Sequence, residues 1–285
     1  MRFSIITPSF RQSSWLKLCV ASVHDQTGVE LEHIVQDAGS DDGTLDWLQR
    51  DARVQAVVEP DEGMYDAINR GFRRASGDVL AYLNCDEQYL PGALAAVRDF
   101  FDRHPNIEVV LAGTIVVNGK GDYVCHRHSL LPHPHHIWFR FPVLTSAVFL
   151  RRKVVHERGL WFDTQWRALG DLHWIRSLMS ANVPMAVFDH FTSAFADTGD
   201  NLCLTPNAVR EHETSLAMAP GWVRTLRPVW VVHHRLRRLA AGHFFLKPCH
   251  YSIYTPRSPE RRTRFEVAKP TAVWWNRLSP DGWRK

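Results

Sequence analysis

The stretch Gly77-Asp78-Val79-Leu80-Ala81-Tyr82-Leu83-Asn84-Cys85-Asp86-Glu87 decides the fold. Val79 to Leu83 is apolar without alternation, the pattern of a central strand covered on both faces. It breaks at once into polar residues. Upstream, Gly63 to Ala75 has helical spacing with Met64, Ile68, Phe72 and Ala75 on one face, and Gly77 ends it. Earlier still, Phe3-Ser4-Ile5-Ile6 reads as a buried strand, and Ser13 or Ser14 as the cap of a helix carrying Leu16, Val20 and Val23. His33-Ile34-Val35 is a second strand and Val54 to Val58 a third, with Thr44 capping a short helix between them. Downstream, Pro91 marks a helix start before Leu94, Val97, Phe100 and Phe101. Strands alternating with helices through residue 103 give an α/β fold with a mostly parallel central sheet flanked by helices.

After Pro105 the pattern changes. Val109-Val110-Leu111 and Thr114 to Val117 are β-rich, Asn118-Gly119 marks a hairpin, residues 145–150 form another strand, and a helix runs from about Gly170 to Ala181. The 285 residues, 45% hydrophobic and 22% charged, exclude a wholly disordered chain. The net charge of +4 hides an asymmetry. Residues 221–285 hold 14 Lys and Arg against 3 Asp and Glu, so an acidic body carries a basic, aromatic C-terminal extension. Cys19, Cys85, Cys125, Cys203 and Cys249 are scattered, with no Cys-x-x-Cys, which disfavours a disulfide scaffold and fits a reducing compartment. No signal peptide and no run of about 18 apolar residues is visible.

In an open α/β sheet, ligands bind beyond the carboxyl ends of the strands. Thr7-Pro8-Ser9 stands there after the first strand, Asp37 after the second, Glu59, Asp61 and Glu62 after the third, and Asn84, Asp86 and Glu87 after the central one. Each alone reads as a solvated turn or a helix cap; the set does not. Clustered carboxylates hold a divalent cation, which in turn holds a diphosphate. Asp37 suits a base N–H or a ribose hydroxyl. No G-x-x-x-x-G-K-[ST] is present, and no G-x-G-x-x-G follows the first strand, so neither a P-loop nor a dinucleotide fingerprint applies.

These segments resemble family 2 glycosyltransferases with the GT-A fold: Ser4 to Phe10, Ile34 to Thr44, Glu59 to Gly71 with its Asp-x-Gly-x-Tyr-Asp-Ala-x-Asn, and Gly77 to Glu87. The likeness is to the branch building bacterial O-antigens and other surface polysaccharides. It is strong over residues 3–100, weaker over 145–180, and absent beyond about 205. It implies inverting transfer of a sugar from a nucleotide diphosphate donor to a saccharide acceptor, often linked to polyprenyl diphosphate at the inner membrane face. It implies that Thr7, Pro8, Ser9 and Asp37 contact the nucleoside, that Asp61 lies near base or ribose, and that Asn84-Cys85-Asp86 occupies the family's Asp-x-Asp position. Asp86 is then the ligand of a divalent cation, Mn2+ or Mg2+, with Asn84 replacing the first Asp at the loss of one charge. Gly170-Asp171-Leu172-His173-Trp174 looks like the segment carrying the general base, which makes Asp171 that base; His173 assists it or merely packs.

The expected organisation is a GT-A domain over 1–220, with a nucleotide-binding half (1–104) and an acceptor half (105–220), then the extension 221–285. His126, His128, His133, His135 and His136 tempt a metal reading, but two prolines interrupt them and no pair sits at four-residue spacing; a flexible loop at the acceptor mouth is expected instead. In the extension, Val229 to Leu239, Phe244-Phe245, Trp274-Trp275 and Trp283 mix basic and aromatic residues. Contact with an anionic membrane is preferred there over nucleic-acid binding or packing on the chain's own domain. Arg257 to Arg264 are a second candidate for an acceptor diphosphate. The expected location is cytoplasmic, peripheral at the inner membrane. A sugar nucleotidyltransferase would want a Gly-rich basic loop after the first strand, which Thr7-Pro8-Ser9-Phe10 is not. The alternative is a non-catalytic module docking through its basic tail.

Overall fold

The computed structural model describes residues 1–139, 143–199, 201–202 and 205–274; Cys203, Trp275 and Trp283 lie outside the described residues. β1 (Arg2–Ser9) leads to α1 (Ser13–His24), β2 (Glu30–Asp37), a short α2 (Thr44–Leu48), β3 (Gln55–Val58), α3 (Met64–Arg74) and β4 (Val79–Tyr82). These strands run parallel in the order β3-β2-β1-β4. β4 is buried along its whole length and β1 after Arg2, as two covered faces require. Phe3 and Ile5 share a core with Cys19 and Val23 of α1, whereas Ile6, Ile34, Leu80 and Tyr82 share the other with Ile68 and Phe72 of α3. Gly71 lets α3 approach β1: a Cβ there would lie 2.5 Å from Ile6 Cγ2.

The chain continues through β5 (Glu87–Tyr89), α4 (Ala93–Arg103), β6 (Val109–Asn118), β7 (Tyr123–Arg127), a 3-10 turn (Thr145–Ala147), β8 (Val148–Arg151), α5 (Lys153–His156), α6 (Gly170–Ser180) and β9 (Met185–Asp197). The sheet grows to β3-β2-β1-β4-β8-β6-β9-β5, with β7 paired to β6. It stays largely parallel, but β8 runs antiparallel to both β4 and β6, and β5 antiparallel to β9. Last come α7 (Pro206–Ala217), α8 (Gly221–Thr225), α9 (Arg227–Ala240) and the hairpin of β10 (Cys249–Thr255) and β11 (Ser258–Val267).

Several starts differ from the sequence expectation. Ser13 is not a cap: its N–H donates to Asp42 (2.9 Å) and its hydroxyl accepts from Trp47 Nε1 (3.0 Å), tying α1 to the loop after β2. Thr44 is the first residue of α2, behind Gly43 at φ 83°. α4 begins at Ala93, so Pro91 precedes it. Asn118-Gly119 does open a hairpin, between β6 and β7, through a loop in which Asn118 Oδ1 accepts from Lys120 N and Asp122 N.

One contact locks the second half to the first. Asn69 of α3 donates through Nδ2 to the Phe162 carbonyl (2.8 Å) and accepts from the Phe162 N–H at Oδ1 (3.0 Å). The Phe162 ring stacks on Tyr65 (5.3 Å) and Trp174 (4.5 Å) and meets Tyr82 edge-on (5.7 Å). Asn69→Ala strands both backbone groups in a buried site, so it should lower unfolding stability by about 2–4 kcal/mol. Urea denaturation checks this as a drop in midpoint at unchanged m; a loss below about 0.5 kcal/mol would show that the clamp holds nothing.

Candidate active site

The ends of β1, β3 and β4 open into one cavity of about 1560 Å³, closed on the far side by the start of α6 and by α9. Pro8, Ser9, Asp61, Asn84, Asp86 and Asp171 all line it. Thr7 and Asp37 do not. Thr7 is buried, with its hydroxyl 2.9 Å from His33 Nε2. Asp37 is fully buried and takes four hydrogen bonds, from the hydroxyls of Ser9 (2.7 Å) and Ser40 (2.8 Å) and the N–H groups of Gly39 (2.9 Å) and Ser40 (2.7 Å). These two residues shape the loops whose Pro8, Ser9 and Ala38 reach the cavity.

Asp61 accepts from the Gly63 N–H (2.8 Å), where φ of 110° turns the chain into α3, and burial raises its pKa. Beyond β4, Asn84 Oδ1 is buried and has no hydrogen-bond partner. Asp86 Oδ2 accepts from Asn201 Nδ2 (3.1 Å). Glu87, buried, accepts from the Asn84 N–H (2.8 Å). Burial pushes both carboxyls up, and the Asp86 charge pushes Glu87 further. An unpaired amide oxygen beside a carboxylate is a hard-oxygen donor set, which fits a Mg2+- or Mn2+-like ion that keeps waters and takes phosphate oxygens. Cys85 donates its thiol to the Pro8 carbonyl (3.3 Å) and burial holds it protonated, so it packs as a small residue.

Asp171 opens α6 and accepts from the Leu172 N–H (2.7 Å); burial raises its pKa to about 6. Gly170 seats it against Tyr65, where a Cβ would lie 2.5 Å from the ring. Glu211 of α7 anchors the approach, accepting from the N–H groups of Arg167 (2.7 Å), Ala168 (2.9 Å) and Leu169 (2.9 Å). His173 stacks on Trp166 at 3.6 Å, is held neutral by burial at a pKa of about 4, and packs beside the site without lining it.

Sequence reading missed Glu211 and Asn201, because nothing local in either segment announces a partner more than 40 positions away. Arg262 of β11 pairs with Asp25 (2.5 Å) and caps the Tyr89 and Ser252 carbonyls (2.9 Å each), fastening the hairpin to α1. Among the described residues, Arg127, Arg235 and Arg238 line the cavity, and α9 supplies the last two.

The chain is similar to known proteins at two levels. The family model described as Glycosyl transferase family 2 matches residues 4–159. A PGL/p-HBAD biosynthesis glycosyltransferase of Mycobacterium bovis (strain BCG / Pasteur 1173P2) is 34% identical over 177 residues, 59% of this chain; the match spans 66% of that relative's length. A putative teichuronic acid biosynthesis glycosyltransferase, TuaG of Bacillus subtilis (strain 168), is 34% identical over 102 residues, 34% of this chain and 40% of TuaG. Among solved structures, S. aureus TarS 1-349 in complex with UDP-GlcNAc superposes with a TM-score of 0.59 at 18% identity, over 77% of this chain and 67% of that one. Mannosyltransferase PcManGT from Pyrobaculum calidifontis, in complex with GDP-Man and Mn2+, superposes at 0.53 and 16% identity, over 85% and 79%. At these identities the structures support the fold, which is the GT-A arrangement. With more than half its length matching the family model, and with the strand-end cavity that the family's motifs build, the chain belongs to glycosyl transferase family 2.

Proposed function

We propose that this chain transfers a sugar from a nucleotide diphosphate donor to a saccharide acceptor, with inversion at the anomeric carbon, in the synthesis of a surface polysaccharide or glycolipid. The carrying observation is that Asp86, the unpaired Asn84 oxygen and Asp171 line one cavity. Asp171 is the general base. It takes the proton of the acceptor hydroxyl as that oxygen bonds to the anomeric carbon, while the bond from that carbon to the diphosphate oxygen breaks. A raised pKa suits the task, since a base works best near the operating pH. Asp86 and Asn84 would hold a Mn2+ or Mg2+ ion, which when bound offsets charge on the departing diphosphate. Ser9, Pro8 and Asp61 border the nucleoside, with Thr7 and Asp37 setting their loops. The donors named for TarS and PcManGT, UDP-GlcNAc and GDP-Man, support the donor class.

We further propose that the acceptor is lipid-linked and met at an anionic inner-membrane face. Among the described residues no helix is long and apolar enough to cross a membrane. Leu226, Val229, Val232, Leu236 and Leu239 form one exposed stripe along α9, and exposed Phe244 and Phe245 follow. Arginines flank the stripe, the make-up of a helix lying in a membrane interface. The opposite side of α9 lines the cavity, so a membrane-held acceptor would arrive beside Asp171.

Thermal shift against UDP-, GDP-, dTDP- and CMP-sugars, with and without Mn2+ or Mg2+, should show a metal-dependent rise for one nucleotide class that Asp86→Ala abolishes. No response to any donor would refute the donor site. For turnover, kcat should fall tenfold per pH unit as pH drops through about 6, because protonation removes the base. Asp171→Asn should lower kcat by about 100- to 10,000-fold and remove that limb; a limb that persists in the variant would assign it elsewhere. Vesicle flotation tests the surface: the chain should float with phosphatidylglycerol vesicles and not with pure phosphatidylcholine, and Leu236→Glu should cut binding at least about tenfold. Equal binding by that variant would exclude α9 as the contact.

A further inference from the structure

Away from the strand ends, the turn after His133 brings an unassigned cluster together. The N–H groups of His136 (3.1 Å) and Ile137 (3.0 Å) donate back to the His133 carbonyl, making one helical turn that sets His133 and His136 on the same side. Their rings stack at 4.2 Å. α9 brings His233 against them, its Nδ1 3.0 Å from His136 Nε2. One nitrogen from each of the three rings lies within 4.8 Å of the others. The sequence argument against a metal looked for a four-residue pair, whereas this turn gives a three-residue pair and takes its third ring from another element.

We propose that His133, His136 and His233 bind a borderline divalent metal ion of the Zn2+ type, separate from the hard cation at Asp86, and that this ion pins the histidine loop to α9. Three imidazole nitrogens are a donor set for Zn2+, Ni2+ or Cu2+ and a poor one for Mg2+ or Mn2+. Zinc–nitrogen bonds are about 2.0–2.1 Å long, so tetrahedral ligand nitrogens sit about 3.4 Å apart, and a small closing motion of three half-buried or buried rings reaches that. Trp230 covers the cluster, its ring 6.5 Å from both His133 and His136. Arg237 donates to the Leu131 carbonyl (2.9 Å) and lies 3.4 Å from His136 Nδ1, which favours water or an anion as the fourth ligand. The site has a consequence for the cavity. Ile137, Trp138 and Phe139 follow one pair of ligands, while Val231, His234 and Arg235 flank the third, and all of these line the cavity. Occupancy would therefore fix the spacing of two of its walls.

The test uses the full chain with any affinity tag removed, stripped with chelator and dialysed against Zn2+ before elemental analysis. Wild type and Asp86→Ala should each retain about one zinc per chain, with His133→Ala and His233→Asn binding at least about tenfold more weakly. Circular dichroism of the zinc-free variants checks that they fold. In Asp86→Ala, which lacks the hard-cation ligand, the thermal midpoint should rise with Zn2+ and not with Mg2+. Zinc absent from wild type, zinc retained equally by both histidine variants, or a midpoint indifferent to Zn2+ would each overturn the proposal.

Discussion

The two-way hydrogen bond between Asn69 and the Phe162 backbone is the constraint on which the site depends. It joins α3, the helix that follows β3, to the segment that delivers Asp171. An amide can satisfy a backbone N–H and C=O at once, and few other side chains of that size carry both a donor and an acceptor. In a buried setting neither backbone group has water to fall back on. The other residues of Asp-x-Gly-x-Tyr-Asp-Ala-x-Asn serve the same joint. Asp61 turns the chain at Gly63, Asp66 ties back to the Glu62 N–H (3.0 Å) and to Arg70 (2.9 Å), and Tyr65 lies under Gly170. The motif thus both lines the cavity, through Asp61, Gly63 and Tyr65, and joins the two segments that wall it.

Electrostatics then explain why α9 belongs to the site. A cavity lined by Asp61, Asp86 and Asp171 repels a diphosphate, and burial makes each carboxylate costlier to ionise. A cation at Asp86, as proposed, would supply part of the compensation. Arg127, Arg235 and Arg238 supply positive charge in the same lining. The basic extension that stood apart in the charge count therefore complements the acidic body across a shared cavity.

What was legible in the sequence follows local rules. β1 to β4 could be read because buried runs, helical spacing and Gly or Pro breaks are written in neighbouring residues. The antiparallel insertion of β8 between β4 and β6 could not, since strand partners are chosen by tertiary proximity. The same divide runs through the site. Asp86 and Asp171, singled out from local motifs, both line the cavity, but the carboxylate that steadies the approach to Asp171 comes from Glu211 on a later helix. Asp37 reads as a ligand because it follows a strand, yet Ser9, Gly39 and Ser40 occupy both its oxygens. A residue type and a strand end give a place, and the unspent hydrogen-bonding capacity decides what is done there.

α9 carries this furthest. None of its residues is fully buried, and a 14-residue helix is marginal on propensity alone. Its order must come from its sides. Trp230, His233 and Arg237 meet the histidine loop; Val231, His234, Arg235 and Arg238 face the cavity; Val229, Val232, Leu236 and Leu239 face outward. The first two sides make polar and aromatic contacts, such as Arg238 on the Ala272 carbonyl (3.1 Å) and over the Phe244 ring (4.7 Å). The third leaves several large apolar side chains about half exposed, so covering the remainder would be worth roughly 1 kcal/mol each. A membrane on the outward side and a metal on the histidine side would thus act on one element, and both would reach the cavity through its third side.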